Sequence, residues 1–144
     1  MKKRLAIAAV AALGTGVFAA GMSQAASSPT IKLLSAKEVT VAGKPQVRVT
    51  VSTTNFKFLP KQIGSTKNVK NAGHFHIYIN GTNFGKNYAG ADAAKTATTS
   101  PAPPGQKGDA LIKKGKTVSV RVILANNDHS QIGSFTKAIS VKIT

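Results

Sequence analysis

The sequence predicts an all-β protein built as an antiparallel β-sandwich of about 6–8 short strands. Three observations support this prediction. Apolar and polar residues alternate over several segments, glycine-containing pairs separate those segments, and no segment after residue 25 keeps a helical period over ten residues. Alternation with a period of two is typical of a strand that buries one face.

The first 25 residues have the features of a secretory signal peptide. Basic residues occupy positions 2–4, an apolar stretch follows to about residue 20, and Ser23-Gln24-Ala25 offers the small residues that a signal peptidase recognises. The sequence therefore predicts one mature domain, residues 26–144, that is secreted or held in the cell envelope. The apolar stretch is short and rich in Ala and Gly, which disfavours a retained transmembrane segment.

The predicted domain begins with segments in which apolar and polar residues alternate, separated by a glycine-containing turn. The stretches TIKLL and KEVTVA are short strand candidates, and Ala42-Gly43-Lys44-Pro45 follows them as a turn. The next stretch, QVRVTVS, places Val47, Val49 and Val51 on one face and polar residues on the other. We expect these three valines to face the core.

The middle of the chain holds the strand candidate HFHIYI, which ends at Asn80-Gly81. That pair is typical of a type I′ hairpin turn, which needs positive φ at both central residues. Residues 85–108 are small, polar and rich in Pro, with Tyr88 as their one aromatic residue. Such a composition buries little apolar surface, so we expect one long, loosely held loop, with a functional loop as the alternative.

Two further alternating segments lie near the C-terminus. TVSVRVILAN has four apolar residues on one face and adds Ile123 and Ala125 on the other, which predicts a central strand, and KAISVKIT alternates in the same way. The Cys and Trp residues that mark immunoglobulin domains are absent from the sequence. The large core and rim residues are expected to be Phe56, Phe58, Leu59, Phe75, Phe84 and Phe135.

The histidines of HFHIYI share one face of the predicted strand. Because side chains alternate, Phe75 and the two isoleucines face the core, whereas His74, His76 and Tyr78 point the other way. Neighbours on one face of a strand are about 6.5–7 Å apart. Two imidazoles at that spacing can converge on one ion with metal–nitrogen bonds of about 2.0–2.1 Å.

A third ligand can come from His129, which lies in NNDHS just after the predicted central strand. If that strand neighbours HFHIYI, the three rings meet at one end of the sandwich, and Asp128 can add an oxygen ligand or orient a ring. The candidate metal site is therefore His74, His76, His129 and Asp128. The alternative is structural: the paired histidines bond to loop carbonyls, and His129 is an ordinary turn residue.

The composition restricts the chemistry of such a site. A blue-copper centre needs a Cys, and the chain has none. A copper brace needs an N-terminal His, whereas the predicted mature chain starts at Ala26. Calcium is disfavoured by the shortage of acidic residues, so Cu(II) or Zn(II) fits best. The sequence shows neither a nucleophile elbow nor a carboxylate pair, and we expect no enzymatic activity.

The charge of the predicted mature chain is strongly positive. Its 17 basic and four acidic residues give a net charge of +13. Such a charge predicts association with polyanions, including anionic envelope polymers. The lysines are scattered along the sequence. The sequence shows neither a DNA-recognition helix nor a set of aromatic residues that could stack on bases, so we expect no specific binding of nucleic acid. The sequence does not determine the oligomeric state.

Two sequence elements carry a resemblance to known proteins. GHFHIYING, followed about fifty residues later by RVILANNDHS, resembles small secreted bacterial domains with a G-H-x-H-x-Y-x-x-G element and a later L-x-N-x-D-H element. The resemblance covers roughly residues 30–144 and implies an immunoglobulin-like or cupredoxin-like sandwich in which the two elements are neighbours. It implies no reaction, and the 85–108 segment departs from it. The matching positions are Gly73, His74, His76, Tyr78, Gly81, Leu124, Asn126, Asp128 and His129.

The sequence thus predicts a secreted, non-enzymatic binding protein with a three-histidine Cu(II)/Zn(II) site. The alternative function is a cationic envelope or adhesion module that binds anionic polymers and uses its histidines structurally.

Overall fold

The computed structural model describes residues 27–81, 83, 87–99 and 111–144. The predicted signal peptide, residues 1–25, lies outside this part of the chain. A short 3-10 helix spans Pro60–Gln62. The strands are β1 (Thr30–Val41), β2 (Lys44–Thr54), β3 (Lys57–Phe58), β4 (Ala72–Ile79), β5 (Tyr88–Asp92), β6 (Thr96–Thr98), β7 (Thr117–Ala125), β8 (Gln131–Ile132) and β9 (Ile139–Lys142).

The strands form two sheets that pack into a sandwich. One sheet has three strands in the order β1-β2-β6, and the other has six: β3-β4-β7-β8, with β5 paired to β4 and β9 paired to β7. Of the pairings between described strands, that of β3 with β4 is parallel and the others are antiparallel. The predicted all-β sandwich is confirmed, with nine described strands where about 6–8 were expected.

The two segments TIKLL and KEVTVA form one long strand, β1, and not two. The register with β2 shifts between Leu33 and Ser35, so β1 continues through a bulge that leaves the side chain of Leu34 58% exposed. The turn to β2 is a two-residue hairpin loop. Ala42 and Gly43 have φ of 49° and 74°, the positive values that a type I′ turn requires.

The core lies between the two sheets and confirms the predicted apolar faces. From β2 it takes Val47, Val49 and Val51, which pack with alternate residues of the six-stranded sheet. Of the expected aromatic residues, Phe75 is fully buried, Phe56 and Phe58 pack partly buried against the cluster, and Phe84 lies outside the described residues. The six-stranded sheet contributes Phe75, Ile77, Ile79, Val118, Val120, Val122, Leu124 and Val141.

Strand β4 is buried along its whole length, on both faces. It pairs with β7 on one side and with β5 on the other, and β7 is the predicted central strand. The core covers the face of β4 that carries Phe75. Other parts of the chain cover the opposite face, so His74 and His76 are both 0% exposed.

The prediction of a loose loop over 85–108 is wrong for its described part, residues 87–99, which contains β5 and β6. The composition suggested weak packing, but strand pairing uses the backbone and needs no large side chains. The small side chains of this segment are nevertheless buried in part, since Ala89 and Ala97 both belong to the core cluster. The rest of the predicted loop lies outside the described residues.

Asn80-Gly81 is not the two-residue hairpin turn that the sequence predicted. The connection from β4 to β5 spans residues 80–87. Asn80 has the expected positive φ of 57°, but its backbone N–H donates to the Ser119 carbonyl at 2.7 Å and its Oδ1 accepts from the Ser119 N–H at 2.9 Å. Asn80 therefore extends the ladder toward β7 and does not close a tight turn.

A helix that crosses a membrane needs about 20 apolar residues. The described residues include no helix of that length and apolarity.

Candidate metal centre

The register between β4 and β7 brings the two histidine elements together. His74 lies opposite Ala125, the last residue of β7, and His76 lies opposite Ile123. The chain leaving β7 therefore begins its turn beside His74, and His129 follows four residues later. Sequence alternation placed the histidines of β4 on one face, but the pairing with β7 is what makes them neighbours of His129.

Gly73 allows β4 and β7 to approach closely at this end of the sheet. A Cβ atom at position 73 would lie 2.2 Å from the carbonyl oxygen of Ala125 and 3.2 Å from the carbonyl carbon of Asn126. Its φ of 155° also falls in a region that residues with a side chain rarely adopt. Glycine is therefore required immediately before His74, because any side chain there would push the end of β7 away.

A compact turn over residues 126–130 presents the ring of His129. The backbone N–H of His129 donates to the Asn126 carbonyl at 3.0 Å, and that of Asn126 donates to the Ser130 carbonyl at 2.9 Å. His129 has a φ of 68°, in the left-handed region that is uncommon for histidine. These bonds hold His129 in that conformation, which turns its ring back toward β4.

The loop over residues 59–68 packs onto this turn. Gly64 N–H donates to the Asn127 carbonyl at 2.7 Å. The Asn127 side chain is fully buried, and its Nδ2 donates to Gln62 Oε1 at 3.0 Å and to the Lys67 carbonyl at 2.8 Å. This loop covers the site from outside, since Gly64 also lies beside Nε2 of His129.

Three ring nitrogens converge in the space that these elements enclose. Nε2 of His74 lies 2.9 Å from Nε2 of His76 and 3.0 Å from Nδ1 of His129, and the last two atoms are 3.2 Å apart. His74 and His76 are buried and His129 is half-buried. The three predicted histidines are therefore brought together as one cluster of potential metal ligands.

Protons alone cannot satisfy these three contacts. Each ring nitrogen carries either a proton, and donates, or a lone pair, and accepts. A hydrogen bond needs one nitrogen of each kind, and in a triangle of three at least one contact joins two donors or two acceptors. The other ring nitrogen of His74, Nδ1, makes no hydrogen bond that could compensate, because it is buried without a partner. The structural alternative, in which His74 bonds to a loop carbonyl, is thus absent for this residue.

Burial keeps the two histidines of β4 neutral. Loss of solvent and, to a lesser degree, the neighbouring His129 together lower the pKa of His74 to about 4, although Asp128 acts in the opposite direction. Burial likewise lowers the pKa of His76 to about 3, with contributions from His74 and His129. Neutral imidazoles have the lone pair that a metal needs, so both rings are available as ligands at neutral pH.

Asp128, the fourth predicted site residue, lies outside the cluster of ligand atoms. Its carboxylate accepts hydrogen bonds from Ser130 N–H at 3.0 Å, from Ser130 Oγ at 2.6 Å and from Asn68 Nδ2 at 2.7 Å. The bonds from Ser130 and then Asn68 lower its pKa to about 2. Asp128 therefore holds the turn that carries His129, and ties it to the 59–68 loop.

Two tyrosines surround the ring of His76. Tyr88 on β5 contacts it edge-on, with ring centroids 5.2 Å apart, and Tyr78 lies 6.3 Å away. The Tyr78 hydroxyl accepts a hydrogen bond from Gln131 Nε2 at 2.9 Å, and its ring packs on Phe135 at 5.0 Å. Burial raises the pKa of Tyr88 to about 12. Sequence reasoning missed Tyr88, since the weak alternation of NYAGAD was its only signal.

The metal-free protein is expected to lose stability as the pH falls from about 6.5 to about 4. In the unfolded chain both histidines of β4 bind protons near pH 6.5, whereas the folded chain resists protonation down to the lowered pKa values. Unfolding then takes up about two protons, and stability rises with pH across this window. Thermal melts of chelator-treated protein between pH 4 and 7 measure this, and His74→Gln should give a shallower slope. A melting temperature that does not change from pH 7 to pH 5 would contradict it.

No family model, no curated protein and no solved structure matches the chain. The resemblance to small secreted domains with paired histidine elements stays a prediction.

Proposed function

We propose that this protein is a secreted, non-enzymatic metal-binding protein that holds Cu(II) or Zn(II) with His74, His76 and His129. The observation that carries the proposal is the triangle of ring nitrogens, whose edges are 2.9, 3.0 and 3.2 Å. No arrangement of protons gives a donor and an acceptor at all three contacts. A cation bound by the three lone pairs would satisfy all three nitrogens at once.

The spacing of the nitrogens suits one ion shared by all three rings. With metal–nitrogen bonds of about 2.0–2.1 Å, an ion would lie about 1 Å to one side of the plane of the three nitrogens. Three nitrogen ligands leave at least one coordination position for a further ligand, which the histidine cluster itself does not supply. Imidazole ligands suit both copper and zinc, and Cu(II) should bind more tightly than Zn(II) because it lies higher in the general order of affinities.

The two tyrosines make the binding of Cu(II) directly observable. The chain has no Trp and two Tyr residues, and the rings of both lie within 6.3 Å of the His76 ring. Cu(II) is paramagnetic and quenches nearby fluorophores, whereas Zn(II) does not. Titration with Cu(II) should therefore quench most of the intrinsic tyrosine fluorescence at one equivalent. Zn(II) should leave the fluorescence intact and compete with Cu(II) for the site.

Calorimetric titration with each metal gives the affinity and the stoichiometry independently. We expect one equivalent of Cu(II) bound with a dissociation constant below about 1 µM, which corresponds to a binding free energy of about −8 kcal/mol. Fluorescence quenching that needs a large excess of Cu(II), or no heat with either ion at pH 7, would overturn the proposal.

A further inference from the structure

A group of lysines lies at the end of the sandwich opposite the histidines. We call Lys44, Lys113, Lys114, Lys116 and Lys142 the lysine pole. Three of them, Lys44, Lys113 and Lys114, line one cavity with Pro45, Gln46 and Ile112. Lys142 lies opposite Thr117 in the β7–β9 pairing. Thr117 directly follows Lys116, so Lys142 and Lys116 lie at the same end of the sheet. All five side chains are exposed.

A rigid turn presents the lysines of the KKGK sequence. The N–H of Lys116 donates to the Lys113 carbonyl at 3.1 Å, which closes the turn. Gly115 N–H donates to the Ile143 carbonyl, and Ile143 N–H donates to the Lys116 carbonyl, each at 2.8 Å. The turn is therefore fixed to the chain that follows β9, and three ammonium groups start from a backbone that needs no ordering on binding.

An acidic group, Glu38, lies near these lysines in the described part of the chain. Hydrogen bonds from Thr144 and the charge of Lys114 lower the pKa of its carboxyl group. Its Oε2 accepts hydrogen bonds from Thr144 N–H at 2.9 Å and from Thr144 Oγ1 at 2.8 Å. With five lysines close to one glutamate, the lysine pole carries a local excess of positive charge, which attracts anions at moderate salt concentration.

We propose that the lysine pole docks a flexible polymer with repeating phosphate groups. Lysine binds phosphate as a mobile point charge with three donors, whereas arginine makes the planar bidentate contacts that select one fixed group. Both described arginines, Arg48 and Arg121, lie elsewhere, on β2 and β7. A surface of lysines alone suits a polymer whose successive phosphates exchange between ammonium groups, and the cavity of about 340 Å³ has room for one phosphate.

The lysine pole and the metal centre are separate. Thr117 begins β7 at the pole and Ala125 ends it beside His74, so about 26 Å of strand lies between them. This distance exceeds the screening length at physiological salt, about 8 Å. Polymer binding at the pole therefore leaves the metal site open, and either proposal can fail without the other.

The test measures binding of inorganic polyphosphate to the purified protein at several salt concentrations. The triple variant Lys113→Gln, Lys114→Gln, Lys116→Gln should bind at least about 10-fold more weakly at moderate salt, and its slope of log affinity against log salt should be shallower by about two units. The matched control is Lys32→Gln, Lys37→Gln, Lys95→Gln, which removes the same charge from exposed positions elsewhere. It should change the affinity no more than about 3-fold.

Equal weakening in the two triple variants would overturn the proposal, because it would show that net charge alone drives binding. Equal binding of polyglutamate by the unmodified protein would overturn the assignment of phosphate. Quenching of tyrosine fluorescence by Cu(II) should be the same in both variants, which shows that each retains the fold and the metal site.

Discussion

Replacing His129 with asparagine is expected to weaken Cu(II) binding by about 100-fold or more, since loss of a direct ligand costs more than loss of a group that orients one. Asparagine tolerates the positive φ of 68° at this position, but its shorter side chain cannot reach the nitrogens of β4. His129 is half-buried and lies in a turn outside the core cluster, so the fold should persist. Calorimetric titration with Cu(II) measures the loss.

The control for this variant is Asp128→Asn. The amide keeps an oxygen that can accept hydrogen bonds from Ser130, and Asp128 lies outside the ligand cluster. We expect no more than about a 10-fold loss of Cu(II) affinity for this change. Cu(II) should also raise the melting temperature of the unmodified protein and of Asp128→Asn, but not of His129→Asn, because a ligand that binds only the folded state stabilises it. A larger loss in Asp128→Asn than in His129→Asn would contradict the three-histidine site.

Replacing Gly73 with alanine is expected to destabilise the protein by about 3 kcal/mol or more, through overpacking and backbone strain together. The new Cβ would lie 2.2 Å from the carbonyl oxygen of Ala125, which is backbone and cannot move aside alone. Strands β4 and β7 would separate at the end that holds the histidines. Urea denaturation measures the loss of stability, and titration with Cu(II) should show weaker binding as well.

Gly90→Ala separates the two causes of this effect. Gly90 lies on β5, next to β4, and has nearly the same φ, 158° against 155° for Gly73. A Cβ at position 90 meets nothing within 4 Å. Gly90→Ala therefore reports the backbone strain alone, and we expect it to cost clearly less than Gly73→Ala. Equal losses in the two variants would show that the contact with Ala125 has no effect on stability.

Most of the core was predictable from the sequence because alternation directly reports which side chains share a face. The valines of β2 and the alternating residues of β4 and β7 occupy the predicted core positions. The segment 87–99 was not predictable in this way. Its strands are held by backbone hydrogen bonds to β4 and β2. Backbone pairing of this kind cannot be inferred from the side-chain composition of the segment.

The sequence predicted the three histidines of the candidate metal centre but not the residues that surround them. The H-x-H spacing placed His74 and His76 on one face, and elimination left His129 as their partner. Asp128 was grouped with them because it is adjacent in sequence, yet its carboxylate turns toward Ser130 and Asn68. Tyr88 was missed because its contact with His76 exists only once β5 pairs with β4.

The sequence by itself determined that this chain forms a two-layer β structure, which faces its strands present to the core, and that His74 and His76 project together. Those features depend on the alternation of apolar and polar residues along each strand, which can be seen in neighbouring positions of the sequence. Only the tertiary structure decided that His129 reaches the pair, that the site is buried, and that Gly73 makes room for it. Those features depend on the pairing of β4 with β7 and on the packing of the 59–68 loop, which join residues more than forty positions apart.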